Sequence, residues 1–230
     1  MSARRSVLII RPDPAARRTA ALLSEQRFEP FVLPLSVIRP VRAAFPDKSY
    51  DAVIATSANA FLRPLPHDAA FLAGLPLYCA GSRTARAARR QGFTSIIAIA
   101  RNVDSLYAEI WRRQDRRFVY LAGRLRRPVL ENRLRQMEAA VDSVEVYETR
   151  ILTPSAVQQA ALPQPVDFIL LYSAGSIGML ASLAGVITTA TALICLSPRI
   201  AAALPGTVEG KVQVAAEPTE KALFSLLARL

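Results

Sequence analysis

Short unbroken apolar runs alternate along the chain with longer stretches in which apolar residues recur at helical spacing. Val7 to Ile10 is the first such run, and four apolar residues without a polar break describe a strand covered on both faces. Pro12 and Pro14 follow it and suit the entry of a helix to about Arg27, with Ala20, Leu22 and Leu23 on its buried side. Further strands are predicted at Phe31 to Leu33, Ala52 to Ala55, Leu77 to Ala80 and Ser95 to Ile99. Ser57 reads as an N-cap after the third strand. Gly81-Ser82 turns into a helix over Arg83 to Gln91 that Gly92 stops, and Asp104 is expected to cap a helix to Arg112. The second half continues with strands at Phe118 to Leu121, Ser143 to Val146, Phe168 to Leu171, Ala192 to Leu196 and Val212 to Val214. Its helices fall at Arg127 to Ala139 and Thr219 to Leu230. Strands alternating with helices imply an α/β protein whose parallel sheets carry helices on both faces.

The two halves are also related to each other. A shift of 116 residues lays Asp51-Ala-Val-Ile-Ala-Thr-Ser57 on Asp167-Phe-Ile-Leu-Leu-Tyr-Ser173. The same shift lays Leu77-Tyr-Cys79 on Leu193-Ile-Cys195, Arg83 on Arg199 and Asp104 on Glu220. One offset without gaps points to an internal duplication of a unit of roughly 115 residues, hence two lobes.

Ligands of open parallel sheets bind beyond the carboxyl ends of the strands. The loops there are Arg11 to Asp13, Thr56 to Asn59, Gly81 to Thr84, Gly123 to Arg127, Tyr172 to Ser176 and Ser197 to Arg199. They are rich in small hydroxyl and glycine residues, and several open helices, whose free N–H groups attract anions. Arg11, Arg83, Arg124, Arg126 and Arg127 add full charges. A cleft between two lobes lined in this way suits a ligand with many carboxylates or phosphates. Each piece also has a plainer reading: Ser57 and Ser173 as simple caps, Arg83 and Arg199 as solvated helix residues, and Tyr147 as a packing residue of its strand.

Composition sharpens this picture. The 230 residues carry a net charge of +11, and of 29 basic residues only Lys48, Lys211 and Lys221 are lysines, leaving 26 arginines. Arginine presents a permanently charged fork matched to carboxylate or phosphate. An arginine-rich coding bias gives the same count. The single histidine, His67, cannot build a histidine metal site. Cys79 and Cys195 sit in apolar runs and read as core thiols of a reducing compartment. No G-x-G-x-x-G follows a strand and no phosphate-loop pattern occurs, which argues against a dinucleotide or nucleoside-triphosphate site. No nucleic-acid motif accompanies the charge. Between Asp167 and Arg199 no residue is charged, a length that would span a bilayer. Glycine and hydroxyl residues interrupt it, however, and it aligns with a charged stretch, so no membrane segment is expected. The apolar run at Val7 is too short for a signal peptide, and the chain is read as cytoplasmic.

Six blocks in order resemble the uroporphyrinogen-III synthase family over nearly the whole chain. They are Val7-Leu-Ile-Ile-Arg11-Pro12, Tyr50-Asp51-Ala-Val-Ile-Ala-Thr-Ser57-Ala-Asn59, Cys79-Ala-Gly81-Ser-Arg-Thr84-Ala85, Tyr120-Leu-Ala-Gly123-Arg124 with Arg127-Pro128, Val144-Glu-Val-Tyr147-Glu-Thr149 and Ala215-Ala-Glu217-Pro218-Thr219. The resemblance implies two Rossmann-like lobes joined by a two-stranded linker. One lobe would comprise about 1–35 plus 151–230, the other 38–147, with linkers at about 35–40 and 147–153. It implies a hydro-lyase of tetrapyrrole (heme) biosynthesis. That enzyme cyclises hydroxymethylbilane, a linear tetrapyrrole with eight carboxylates, to uroporphyrinogen III. Water is lost and the last ring is inverted through a spirocyclic intermediate. Because the substrate also closes unaided to the uninverted isomer, such catalysis acts by positioning. It needs no metal and no cofactor. By resemblance Tyr147 is the candidate general acid, since a phenol titrating near pH 10 stays protonated. Arg11, Ser57, Thr84, Gly123, Arg124, Ser173 and Ser197 are the candidate substrate-binding residues. A monomer is expected, with transient handover from hydroxymethylbilane synthase. Ile10 before Arg11, the Ser173-Ala-Gly-Ser loop and Ile200 depart from the family pattern. They motivate the alternative of a non-catalytic tetrapyrrole-binding or regulatory homologue.

Overall fold

A computed structural model of the chain describes residues 4–113, 115–183 and 185–230. In chain order the elements begin with β1 (Ser6–Ile9), α1 (Ala15–Glu25), β2 (Glu29–Val32), β3 (Ser36–Pro40) and β4 (Ala52–Ala55). Two 3-10 segments, Ala58–Phe61 and His67–Gly74, lead to β5 (Leu77–Ala80), α2 (Ser82–Arg90), β6 (Ile96–Ala100) and α3 (Val103–Arg113). Then come β7 (Arg117–Gly123), α4 (Val129–Gln136), β8 (Ala140–Ile151), α5 (Ala156–Ala160) and β9 (Phe168–Leu171). A 3-10 segment, Ala174–Leu183, precedes β10 (Ala192–Cys195), α6 (Pro198–Ala201), β11 (Lys211–Val214) and α7 (Glu220–Leu227).

The chain divides into two compact units, Met1–Val37 with Arg150–Leu230, and Ile38–Thr149. The first holds a sheet in the order β11-β10-β9-β1-β2, the second a sheet in the order β3-β8-β7-β4-β5-β6. β3 and β8 carry the chain across the boundary. In each unit the apolar strands split their side chains between two cores by simple alternation. Leu8, Ile169, Leu171, Leu193 and Cys195 enter one core of the first unit, and Val7, Ile9, Phe168, Leu170 and Ile194 the other. In the second unit Val53, Ala55, Leu77, Cys79, Val119 and Leu121 face one side, with Ala52, Ile54, Tyr78, Phe118 and Tyr120 on the other. Burial on both faces is why these strands read as unbroken apolar runs.

The registers reproduce the 116-residue offset. Val53 pairs with Leu77 as Ile169 pairs with Leu193, and Ala52 lies opposite Phe118 as Phe168 lies opposite Val7. The β7-α4-β8 segment therefore corresponds to β1-α1-β2. The sheet of the first unit takes that βαβ piece from the start of the chain and its other strands from the end. Asp51 and Asp167 perform one task in the two sheets. The Asp51 carboxylate accepts from the backbone N–H groups of Arg116 and Arg117 at 3.0 and 2.9 Å. Asp167 accepts from the Ser6 backbone N–H at 2.7 Å and the Ser6 hydroxyl at 2.8 Å. Each pins the start of the neighbouring strand. The Arg116 N–H, with help from the Arg117 side chain and N–H, holds Asp51 below the usual carboxylate range.

Several elements differ from the sequence expectation. Asn102, not Asp104, caps α3: its Oδ1 accepts from the Ser105 N–H at 2.9 Å, and Ser105 Oγ accepts from the Asn102 N–H at 3.1 Å. Asp104 instead pairs with Arg133 of α4. β8 is twelve residues long, where a four-residue strand is expected from the sequence; it pairs with β7 from Ala140 to Tyr147 and has β3 on its other side. Among the described residues no helix is long and apolar enough to cross a membrane. The uncharged stretch after Asp167 is divided between β9, the 3-10 segment and β10. Burial pushes the Cys79 thiol up to about 12 and the Cys195 thiol up to about 11.

Candidate functional site

In the second unit the carboxyl ends of β4, β5 and β7 carry Ser57, Thr84 and Gly123, and β8 carries Tyr147. β7 and β8 run in even register from Arg117↔Ala140 to Ala122↔Glu145, then shift so that Gly123 meets Tyr147. The extra residue is Val146, and such a bulge re-aims the side chain that follows it. Val146 and Tyr147, adjacent in sequence, consequently pack against the same core. The Tyr147 ring lies directly on Gly123. A Cβ at that position would stand 2.6 Å from the ring Cζ and 2.8 Å from the hydroxyl. Only glycine leaves the phenol where it is.

The peptide beneath the ring is held from both sides. The Arg124 N–H donates to the Tyr147 carbonyl at 2.9 Å. The Gly123 carbonyl accepts from Arg126 NH1 at 2.9 Å. Arg126 is fixed in turn by its Nε donating to Glu131 Oε1 at 2.6 Å, with Glu145 further off at 3.4 Å. Burial alone would lower the Arg126 guanidinium; its bond and charge pairing with Glu131 outweigh that and raise it. Glu131 is 2% exposed, and its Oε2 has no hydrogen-bond partner among the described residues. Arg124 itself is exposed and reaches Glu145 at 3.1 Å and Glu148 at 2.8 Å. Behind this layer the hydroxyls of Thr56 and Tyr120 lie 2.6 Å apart, and burial raises the Tyr120 phenol.

Ser57 caps the following 3-10 segment, its Oγ accepting from the Asn59 N–H at 3.2 Å. Thr84 sits in the first turn of α2 and is buried, 4% exposed. Gly81 makes the turn into α2 at φ +82°, a conformation suited to glycine.

In the first unit Arg11, Ser173 and Ser197 follow the neighbouring strands β1, β9 and β10. Arg11 NH1 donates to Glu220 Oε1 at 2.9 Å, and its guanidinium lies 3.8 Å from the centre of the Tyr172 ring. The same Glu220 oxygen accepts from Thr19 and Tyr172 hydroxyls, each at 2.7 Å. Burial would raise the Glu220 carboxyl. The two hydroxyls and the nearby Arg11 and Arg18 outweigh it and hold Glu220 below its ordinary range. Tyr172 is raised by burial and by its bond to Glu220. Ser173 is exposed ahead of the 3-10 segment. Ser197 occupies the N-cap of α6 without making a side-chain capping bond.

The structure thus brings Gly123, Arg124 and Tyr147 into contact and sets Ser57 and Thr84 on adjacent strand ends. Sequence reasoning passed over Glu131 as a partner for Arg126, and over the Thr56–Tyr120 pair. The only signal for Glu131 was an acid in a predicted first turn, where its purpose reads as helix capping.

The family model for uroporphyrinogen-III synthase HemD matches residues 17–225. No curated protein matches the sequence. Among solved structures, uroporphyrinogen-III synthetase from Helicobacter pylori is similar with a TM-score of 0.72 at 16% identity, covering 98% of this chain and 99% of that one. A mutant uroporphyrinogen III synthase from Thermus thermophilus gives a TM-score of 0.59 at 18% identity, covering 98% of this chain and 97% of that one. These likenesses concern the fold. With the family model matched over most of its length, the chain belongs to the uroporphyrinogen-III synthase family.

Proposed function

We propose that the protein is a working synthase of this family, a hydro-lyase that closes hydroxymethylbilane to uroporphyrinogen III with inversion of the last ring. The observation that carries this reading is the family match over residues 17–225. The packing of Tyr147 on Gly123 supports a mechanism for it. The Tyr147 hydroxyl donates to the departing hydroxyl of the substrate, easing loss of water. Ring closure then depends on how the chain is folded against the protein, since the unaided reaction takes the uninverted course. Arg11, Ser57, Thr84, Gly123, Arg124, Ser173 and Ser197 are assigned to holding the polycarboxylate chain, the strand-end backbone N–H groups contributing alongside the guanidinium groups. The reaction calls on no metal or cofactor. The protein is read as a cytoplasmic monomer that receives its unstable substrate by transient handover from hydroxymethylbilane synthase.

An isomer assay tests the reading. Enzymatically generated hydroxymethylbilane is supplied, the products are oxidised, and porphyrin isomers I and III are separated by chromatography. Isomer III in proportion to added protein is expected. Isomer I alone, at the rate seen without protein, would overturn the catalytic reading and leave a tetrapyrrole-binding homologue.

A further inference from the structure

The second unit contains a cavity of about 180 Å³ that none of the assigned residues lines. Its walls come from the segment after β3, the loop after the first 3-10 segment, and β8. Phe45, Ala60, Leu65 and Val146 make the apolar floor, and Arg42 and Arg63 stand at it. Both arginines are exposed, and neither has an ion pair or hydrogen bond among the described residues. Arg124 and Arg126, by contrast, are each held by two carboxylates. The cavity adjoins the candidate site through the chain itself: Val146 immediately precedes Tyr147, and Ala60 lies in the segment that Ser57 caps.

Size and charge together select an occupant. A cavity of about 150 Å³ lined by aliphatic and aromatic side chains admits one benzene ring. About 180 Å³ therefore takes one five-membered aromatic ring and excludes a tetrapyrrole. Two unpaired guanidiniums beside an apolar floor match a ring that carries two carboxylates, because each fork binds a carboxylate with charge-assisted hydrogen bonds. Eight carboxylates on four pyrroles is two to a ring. We infer that this cavity is a subsite for a single pyrrole ring of the substrate, with Arg42 and Arg63 each taking one of its carboxylates. The inference rests on the proposed function for its ligand and adds where one ring is held while the chain is folded. Placing a ring beside Tyr147 is the kind of positioning that an inverted closure requires.

The test uses the full chain and three probes in titration calorimetry: pyrrole dicarboxylic acid, unsubstituted pyrrole and succinate. Pyrrole dicarboxylic acid is expected to bind, and to bind about tenfold more weakly for each of R42Q and R63Q. Pyrrole and succinate are expected to bind far more weakly than the combined ligand. Both arginines are exposed, so the variants fold. Equal binding of succinate reduces the site to an anion patch and overturns the inference. So does an affinity unmoved by the substitutions, or no binding at all. In the isomer assay the same variants should raise KM more than they lower kcat. If the wild type makes no isomer III while arginine-dependent binding persists, the synthase reading falls and the subsite stands.

Discussion

Replacing Gly123 by alanine separates positioning from stability. The new Cβ would lie 2.6 Å from Cζ of Tyr147 and 2.7 Å from Cε2. Comfortable carbon–carbon contact is about 3.5 Å, so something must retreat by about 1 Å. The backbone is poorly placed to move. β7 and β8 are paired along seven residues of β7, the Arg124 N–H holds the Tyr147 carbonyl, and Arg126 holds the Gly123 carbonyl. The ring is a half-buried side chain packed at the edge of the core and gives way more easily than paired backbone, so it is the phenol that yields. Overpacking at such a site costs about 1 kcal/mol. That lowers the melting temperature by about 2–4 °C in a chain of this size. A reacting group displaced by about 1 Å, however, loses on the order of 10²-fold in rate, or about 3 kcal/mol of barrier.

The expected result for G123A is thus a nearly normal melting curve and an isomer III rate down about a hundredfold. The assay is initial-rate formation of isomer III, with the unaided isomer I subtracted and the folded fraction measured on the same sample. Y147F should be slowed comparably, and the double variant should be no slower than the worse single one. A G123A protein that is folded and fully active would show that the position of the phenol does not matter. A double variant whose losses multiply would show that glycine and tyrosine act separately.

Three further outcomes follow from the geometry. E131Q strips the charge that faces Arg126 Nε at a buried position, leaving only a neutral amide oxygen to accept from it, and should lower unfolding free energy by about 2 kcal/mol in urea titration; an unchanged midpoint would show the charge pairing contributes nothing. Asp51 and Glu220 have carboxyls held below their ordinary values in the folded state, so their contribution is complete above the unfolded value of about 4 and is lost as pH falls through the folded values. D51N should therefore flatten the acid limb of melting temperature against pH, and an acid limb as steep as the wild type's would contradict the assignment. Cys79 and Cys195, buried and with thiols pushed up to about 12 and about 11, should react with a thiol reagent only after denaturation; rapid labelling of native protein would refute their placement in the cores.

How much of this was legible in the sequence depends on range. The strands buried on both faces announce themselves as apolar runs, and β4, β5 and β9 fall where those runs predict. The duplication was readable because Asp51 and Asp167 each precede such a run. The structure supplies the reason, a carboxylate that pins the start of the adjacent strand. The cap of α3 was misplaced by two residues because Asn102 and Asp104 are both good cap residues, and only the loop geometry chooses. The β8 bulge left no mark at all. Alternation along Val144 to Thr149 reads as an ordinary strand, and the shift that brings Tyr147 over Gly123 arises from pairing with β7, many residues away. Family resemblance nominated Tyr147 and Gly123 one by one; their contact is a tertiary fact.

The arginines make the same distinction for charge. A net charge of +11 argues for a polyanionic ligand, but composition counts charges without their partners. Arg11 is bonded to Glu220, and Arg124 to Glu145 and Glu148. A guanidinium already facing two carboxylates projects little net positive charge. A substrate carboxylate reaching Arg124 has to compete with Glu145 and Glu148 for the same donors, whereas at Arg42 and Arg63 it meets no such competitor. The Arg124 pairs are open to solvent on the arginine side and individually weak, worth about 0–1 kcal/mol, so the exchange at Arg124 is feasible but gains little. Discrimination between the two closures therefore cannot come from the count of arginines. On the roles proposed for Tyr147 and for the Arg42–Arg63 cavity, it comes from where uncompensated guanidiniums stand, and these two stand at a cavity whose wall includes the residue immediately before Tyr147.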